Sequence, residues 1–170
     1  VSELAGYVLG DPRFEIWSGS HLPRAHHYGK GGLLRHTYEV CKIAYMMYDM
    51  FKDRHPELNI SVLFISALFH DYGKMWDYEF NESSGEWKAI PHKRKIHHIQ
   101  RSAIEWASIA RECDVSNSFI EEVTHCILSH HGRREWGSPV APFTREAWIL
   151  HLADGMSARI DDCDRIDIIT

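Results

Sequence analysis

Residues 62–69, Val-Leu-Phe-Ile-Ser-Ala-Leu-Phe, form a nearly unbroken apolar run that stops at His70-Asp71. A helix that is apolar on almost every side cannot lie on a surface, so it belongs at the centre of its fold. Asn59 is placed to cap the start of this helix, and Gly73 suits a position just past its end. The run therefore predicts a buried central helix whose last turn opens onto an imidazole and a carboxylate side by side. Such a pair can grip one metal ion, because the buried helix holds the backbone while the final turn stays open.

Helical spacing supplies the elements that would surround it. Across residues 33–51, Leu33, Val40, Ala44, Met47 and Phe51 recur at helical intervals, with His36 on the same inward face. Ile99, Ala103, Trp106 and Ala110 repeat that pattern. Ser118 with Glu121 reads as a capping box opening a helix through Val123 and Ile127 to His130. Thr144 can cap a last helix in which Ala147, His151, Asp154 and Ala158 share one face. Residues 76–80 and 86–90, separated by Asn81-Glu82-Ser83-Ser84-Gly85, predict a small hairpin laid over the helices. The expected fold is all-α, a bundle of five or more helices with one small β-hairpin excursion. Residues 1–170 read as a single domain, with 1–25 an N-terminal extension and 26–160 the core.

Composition narrows the chemistry. The formal net charge of −5 argues against a protein that coats duplex nucleic acid by neutralising its phosphates. Thirteen histidines point instead towards metal or proton chemistry. Cys41, Cys113, Cys126 and Cys163 lack the close spacing of a zinc cage or redox pair, and Cys41 and Cys126 read as small core residues. No segment approaches the ~20 apolar residues of a membrane span, and the N-terminus has no secretory pattern. A reduced, cytoplasmic setting is expected.

His36, His70, Asp71 and Asp154 fall on inward faces or ends of three helices, so a bundle can bring them together as an N, N, O, O set for a divalent ion. Asp154 is informative because a carboxylate buried without a partner would cost several kcal/mol. His98, His130 and His131 lie at helix ends as well. They could hold a second ion, with Asp71 bridging, in the two-ion arrangement suited to in-line attack on a phosphodiester.

The order His36, His70-Asp71, Asp154 resembles the signature of the HD-domain metal-dependent phosphohydrolases. More narrowly, HHYGKGGLLRHT (26–37), LFHDYGK (68–74), HHI (97–99), ILSHHGRREWGSP (127–139) and EAWILHLADGMSA (146–158) resemble the catalytic domain of the YhaM-type 3′-to-5′ exoribonucleases. The resemblance implies a first metal at His36, His70, Asp71 and Asp154 and a second at Asp71, His98, His130 and His131. It implies manganese, with iron, nickel, zinc or magnesium as alternatives. It makes Asp71 and Lys74 the catalytic pair, with Lys74 also steadying a substrate phosphate.

The implied reaction is phosphodiester hydrolysis by metal-activated water at a nucleotide or a single-stranded RNA or DNA end. Arg133 and Arg134 would neutralise non-bridging oxygens, and His26, His27 or Trp136 would line the nucleotide's approach. The basic run His92-Lys93-Arg94-Lys95, just before His98, could guide an incoming strand or form a solvated loop. The exoribonucleases carry an oligonucleotide-binding β-barrel ahead of this domain, and the residues before His26 are too few to build one. Shorter substrates, a partner or a homo-oligomer are therefore expected to compensate. Two rival readings stand beside this one. The first is a phosphohydrolase of mononucleotides or deoxynucleoside triphosphates, and the second is a non-catalytic metal- or nucleotide-binding module.

Overall fold

The computed structural model describes residues 1–163. It is all-α with one two-stranded antiparallel sheet, as the helical spacing predicts. At its centre is α4 (Ile60–Phe69), with Val62, Leu63, Ile65, Ala67, Leu68 and Phe69 buried. Asn59 caps it as expected, its Oδ1 accepting from the N–H groups of Ser61 at 3.0 Å and Val62 at 3.2 Å. Full burial of each large aliphatic or aromatic side chain contributes about 1.5–3 kcal/mol, so this helix anchors the core.

Around α4 pack α3 (Gly32–Phe51), α7 (His98–Glu112), α8 (Asn117–Ser129) and α9 (Arg145–Cys163). Each turns one stripe inward: Leu33, Val40 and Ala44 from α3, Ile99 and Trp106 from α7, Val123 and Ile127 from α8, Ala147 and Leu150 from α9. Thr144 caps α9 as predicted, its hydroxyl accepting from Ala147 N–H at 3.2 Å. The N-terminal segment is more ordered than its mixed composition suggests. It contains α1 (Ser2–Leu9) and α2 (Pro12–Ile16), which send Leu4, Val8 and Phe14 into the same core.

Four local expectations are corrected. The cap of α8 is Ser116, which is extended and whose Oγ accepts from Phe119 N–H at 3.4 Å; Ser118 already lies within the helix. The hairpin is shorter than predicted, with β1 (Tyr78–Asn81) pairing β2 (Glu86–Ala89). Residues ahead of it form the helical turn α5 (Lys74–Asp77), where the Trp76 ring is clamped between the guanidinium groups of Arg13 and Arg101. The basic run is a helical turn, α6 (His92–Lys95), because the imidazole of His92 is tied to Asp77 at 2.8 Å.

The fourth correction concerns Gly73. It is right-handed, with φ −62°, and so is no left-handed cap. It is glycine because α7 passes so close that a Cβ here would overlap the His98 carbonyl oxygen. Its N–H donates to Ser102 Oγ at 2.8 Å, joining the end of α4 to the start of α7. That approach sets the distance between Asp71 and His98.

Cys126 is buried and Cys41 half-buried, and burial pushes both thiols up to about 12, which leaves them inert. No helix among the described residues is long and apolar enough to cross a membrane.

Candidate metal centre

His70 is the C-cap of α4 and His130 the C-cap of α8. Their Nδ1–H groups turn back onto carbonyls of their own helices, His70 to Ala67 at 2.7 Å and His130 to Ile127 at 2.7 Å. Carbonyls that would otherwise end a helix unsatisfied are thereby paired, and each Nε2 is left facing away from its own helix.

The same logic holds for the other imidazoles. His36, on α3, donates Nδ1–H to Ser157 Oγ at 3.0 Å, and that hydroxyl donates onward to Glu39 at 2.8 Å. His98 places Nδ1 3.2 Å from Asp77 Oδ2, and His131 places Nδ1 2.6 Å from the Trp136 carbonyl. A partner on Nδ1 fixes tautomer and ring orientation and frees the Nε2 lone pair for a metal. Ser157, Glu39 and Asp77 were not singled out from sequence, and His92 entered only as part of the basic run. The spacing Asp154 to Ser157 and His36 to Glu39, one helical turn apart, was the available signal.

Between the imidazoles lies Asp71, with the side chain 1% exposed. Its Oδ2 is 3.3 Å from His36 Nε2 and 3.5 Å from His70 Nε2, and its Oδ1 is 3.5 Å from His98 Nε2 and 3.8 Å from His130 Nε2. Asp154, from the middle of α9, faces inward and sets Oδ1 3.0 Å from His36 Nε2 and 3.8 Å from His70 Nε2. Two donor groups result. In the group His36, His70, Asp71 and Asp154, and again in the group Asp71, His98, His130 and His131, candidate ligand atoms lie within 4.8 Å of one another.

Whether these residues suit a metal can be read from their unmet needs. Asp71 Oδ1, His98 Nε2 and His130 Nε2 are buried and have no hydrogen-bond partner. Orphaned buried polar atoms each cost about 1–3 kcal/mol, and here they converge on one point. A carboxylate oxygen and imidazole lone pairs share the same missing partner, a cation. The clusters are able to bind a divalent metal.

The charge states agree. Burial pushes His98 down to about 3 and holds His70 and His130 below the usual imidazole range, so all three are neutral near pH 7. Burial alone would raise Asp71, but Lys74 and the surrounding imidazoles overcome it and hold the carboxyl well below its ordinary value. Asp154 is depressed in the same way, against its burial, by His36, His130 and His70. His36 is raised, because the carboxylates of Asp154 and Asp71 outweigh its burial. A metal held at His36 Nε2 would therefore have to displace a proton.

Lys74 is buried and sets Nζ 2.6 Å from Asp71 Oδ2. The other sequence candidates fall at different depths. His26 is half-buried and lines a cleft of about 490 Å³ together with His131, Trp136, His151 and Asp154. His27 is fully buried, with Nε2 3.0 Å from Glu39, and lies outside that cleft. Arg133 and Arg134 are exposed on the turn after His131, and the Arg133 guanidinium stacks on Trp136 at 5.0 Å.

A family model described as HD domain matches residues 33–159. The 3′-5′ exoribonuclease YhaM of Shouchella clausii is 32% identical over 167 residues, which cover 97% of this chain and 50% of that protein. YhaM of Bacillus subtilis is 30% identical over 165 residues, again covering 97% and 50%. The chain spans about half the length of these curated relatives. Among solved structures, the HD domain of the L. monocytogenes phosphodiesterase PgpH aligns with a TM-score of 0.50 and 17% identity, covering 92% of this chain and 73% of that one. That likeness concerns the fold. With the model match spanning α3 to α9 and the buried His-Asp cluster inside it, the chain belongs to the HD domain family.

Proposed function

We propose that this chain is a metal-dependent phosphodiesterase that removes nucleotides from the 3′ end of single-stranded RNA or DNA, with residues 26–160 as its catalytic core. One observation carries the reading: the two oxygens of Asp71 face two different sets of imidazole nitrogens, Oδ2 towards His36 and His70, Oδ1 towards His98 and His130. A single carboxylate shared in this way suits a pair of ions. The name carried by the relatives, 3′-5′ exoribonuclease, supports the choice of substrate.

His36, His70, Asp71 and Asp154 would hold one ion, and Asp71, His98, His130 and His131 a second, manganese by preference. Bound there, divalent metal supplies Lewis-acid charge and lowers the pKa of the attacking water. The protein does the positioning. Ser157, Asp77 and the carbonyls of Ala67, Ile127 and Trp136 hold the imidazoles so that little reorganisation is needed. Lys74 keeps a fixed positive charge against Asp71 and towards the substrate's non-bridging oxygens. The cleft lined by His26, Trp136 and His151 admits the terminal nucleotide, and the Trp136 ring, 52% exposed, offers a face for a base to stack on. Arg133 and Arg134 meet the phosphates at its rim.

The test is turnover of a 3′-labelled single strand with manganese, with chelator, and by Asp71→Ala. Stepwise release of nucleotides that chelator and the substitution both abolish is expected. Hydrolysis confined to free mononucleotides or nucleoside triphosphates would transfer the site to that substrate class. Tight nucleotide binding with no hydrolysis at all would leave a binding module.

A further inference from the structure

A second pocket, of about 560 Å³, opens beside the hairpin and is lined by His21, Lys93, Arg94 and His97 among others. One ring separates it from the metal centre. The His97 imidazole lies 4.1 Å, centroid to centroid, from that of His98, and His98 Nε2 is 3.5 Å from Asp71 Oδ1.

The walls of this pocket carry positive charge and donors, and no carboxylate lines it. Asp77 is nearby but engaged: Oδ1 binds His92 Nδ1 at 2.8 Å, while Oδ2 accepts from His98 N–H at 3.0 Å and faces His98 Nδ1 at 3.2 Å. Lys93 is half-buried over the face of Tyr78 at 5.1 Å, and among the described residues neither it nor Arg94 forms an ion pair. The Nδ1 atoms of His21 and His97 are buried and lack hydrogen-bond partners.

The backbone adds a further sign. His97 adopts φ 72° and ψ 149°, a conformation that glycine enters freely and other residues rarely do. Strain, two orphaned ring nitrogens and cations without an ion-pair partner all fall on one wall, held there by ring contacts with Tyr78 and His98. Their shared missing partner is an anion that accepts several hydrogen bonds.

We infer that this pocket binds a phosphate of the nucleic-acid strand other than the one being cut, with Lys93 and Arg94 supplying charge and His21 and His97 supplying ring N–H donors. The inference rests on the hydrolase reading for its ligand, since a strand whose reacting phosphate lies at Asp71 carries further phosphates past His98. A chain with a formal net charge of −5 cannot hold such a strand by its general surface, so grip must be local.

The test is binding without turnover. Affinity of the full chain for a fluorescein-labelled single strand is measured by anisotropy in metal-free buffer over a series of salt concentrations. The double variant Lys93→Gln/Arg94→Gln should weaken binding at least tenfold at low salt and reduce the salt slope by about 0.7, the value for one phosphate contact on a single strand. His97→Gly relieves the strained backbone while removing a donor, so it should raise the melting temperature yet weaken binding. Unchanged affinity and slope in both variants would overturn the pocket's role. Wild-type cleavage of a 3′-labelled strand is scored separately. Binding through the pocket without cleavage sinks only the hydrolase reading, and cleavage with unaltered binding in the variants sinks only the pocket.

Discussion

His70 and His130 end different helices in the same way, each donating Nδ1–H to the carbonyl three residues upstream, and their rings meet edge to face with centroids 5.0 Å apart. Each Nε2 is presented to a different oxygen of Asp71. The pair therefore belongs to two separable ligand groups. His130→Gln should lower bound manganese from two ions per chain to one, and His70→Gln should do likewise at the other group. Elemental analysis after gel filtration reads this directly. Loss of all metal in both variants would mean that the donors act as one site.

The hydroxyl of Ser157 links His36 to Glu39 and gives the His36 ring its orientation. Ser157→Ala should weaken manganese binding about 10–100-fold, the usual consequence of removing a partner behind a ligating imidazole. The fold should lose only about 1 kcal/mol, the worth of one hydrogen bond. Calorimetric titration with manganese and urea denaturation, run on the same protein, separate the two effects. Glu39→Gln retains an acceptor for the serine and should show the smaller change.

Much of this arrangement is written in local sequence. The apolar run before His70 can form only a buried helix, and Asn59 and Thr144 cap their helices because each needs nothing beyond its own next turn. The inward placement of Asp154 follows from its helical phase with Ala147. What could not be read depends on packing between distant segments. Ser116, rather than Ser118, caps α8 because the chain is already helical at Ser118. Asp77 serves His92 and His98 only because α5, α6 and α7 meet, and nothing near Asp77 in the chain announces it. His26 and His27 are adjacent in sequence, yet one lines the cleft and the other is buried against Glu39. Residue type alone does not distinguish them.

Gly73 holds the end of α4 against the start of α7, where a methyl group would overlap the His98 carbonyl oxygen. Its backbone conformation is open to any residue, so the entropic gain from alanine would favour the substitution by about 0.4–1 kcal/mol in the absence of that overlap. Overpacking against backbone costs about 1–3 kcal/mol. Gly73→Ala should therefore be net destabilising in urea denaturation. It should also weaken metal binding at the His98 group, because α7 must shift to make room. A neutral or stabilising result would show that the two segments separate freely.

Asp11 ties the N-terminal helices to the core, accepting from Tyr72 Oη–H at 2.9 Å and from Arg13 N–H at 2.9 Å. Burial opposes the charge, but hydrogen bonds from Arg13 and Tyr72 hold its carboxyl below the usual range. A depressed carboxylate contributes stability above its unfolded pKa of about 3.9, and the contribution is lost as pH falls through the lower folded value. Asp11→Asn should thus cost about 1 kcal/mol near pH 7 and progressively less below about pH 4. Urea midpoints of the two proteins across pH 2.5–7 test this, in ~0.5-unit steps. A gap between them that does not narrow in acid would remove the electrostatic account.

Lys74 sets its ammonium 2.6 Å from Asp71 Oδ2, the oxygen that also faces His36 and His70. Both side chains are buried, so Asp71 depends on a nearby positive charge, and without metal the lysine supplies it. Lys74→Met leaves that buried carboxylate only the surrounding imidazoles for compensation, and breaking such a buried pair costs up to about 3–5 kcal/mol. Divalent metal at the same oxygens restores the missing charge. The variant should therefore melt far below wild type in chelator, while saturating manganese should close most of the gap and raise its melting temperature more than it raises that of wild type. Activity should remain low even with metal bound, because the charge proposed to face the substrate phosphate is gone. Equal destabilisation with and without manganese would reduce Lys74 to packing, and full activity in the loaded variant would remove it from the catalytic pair.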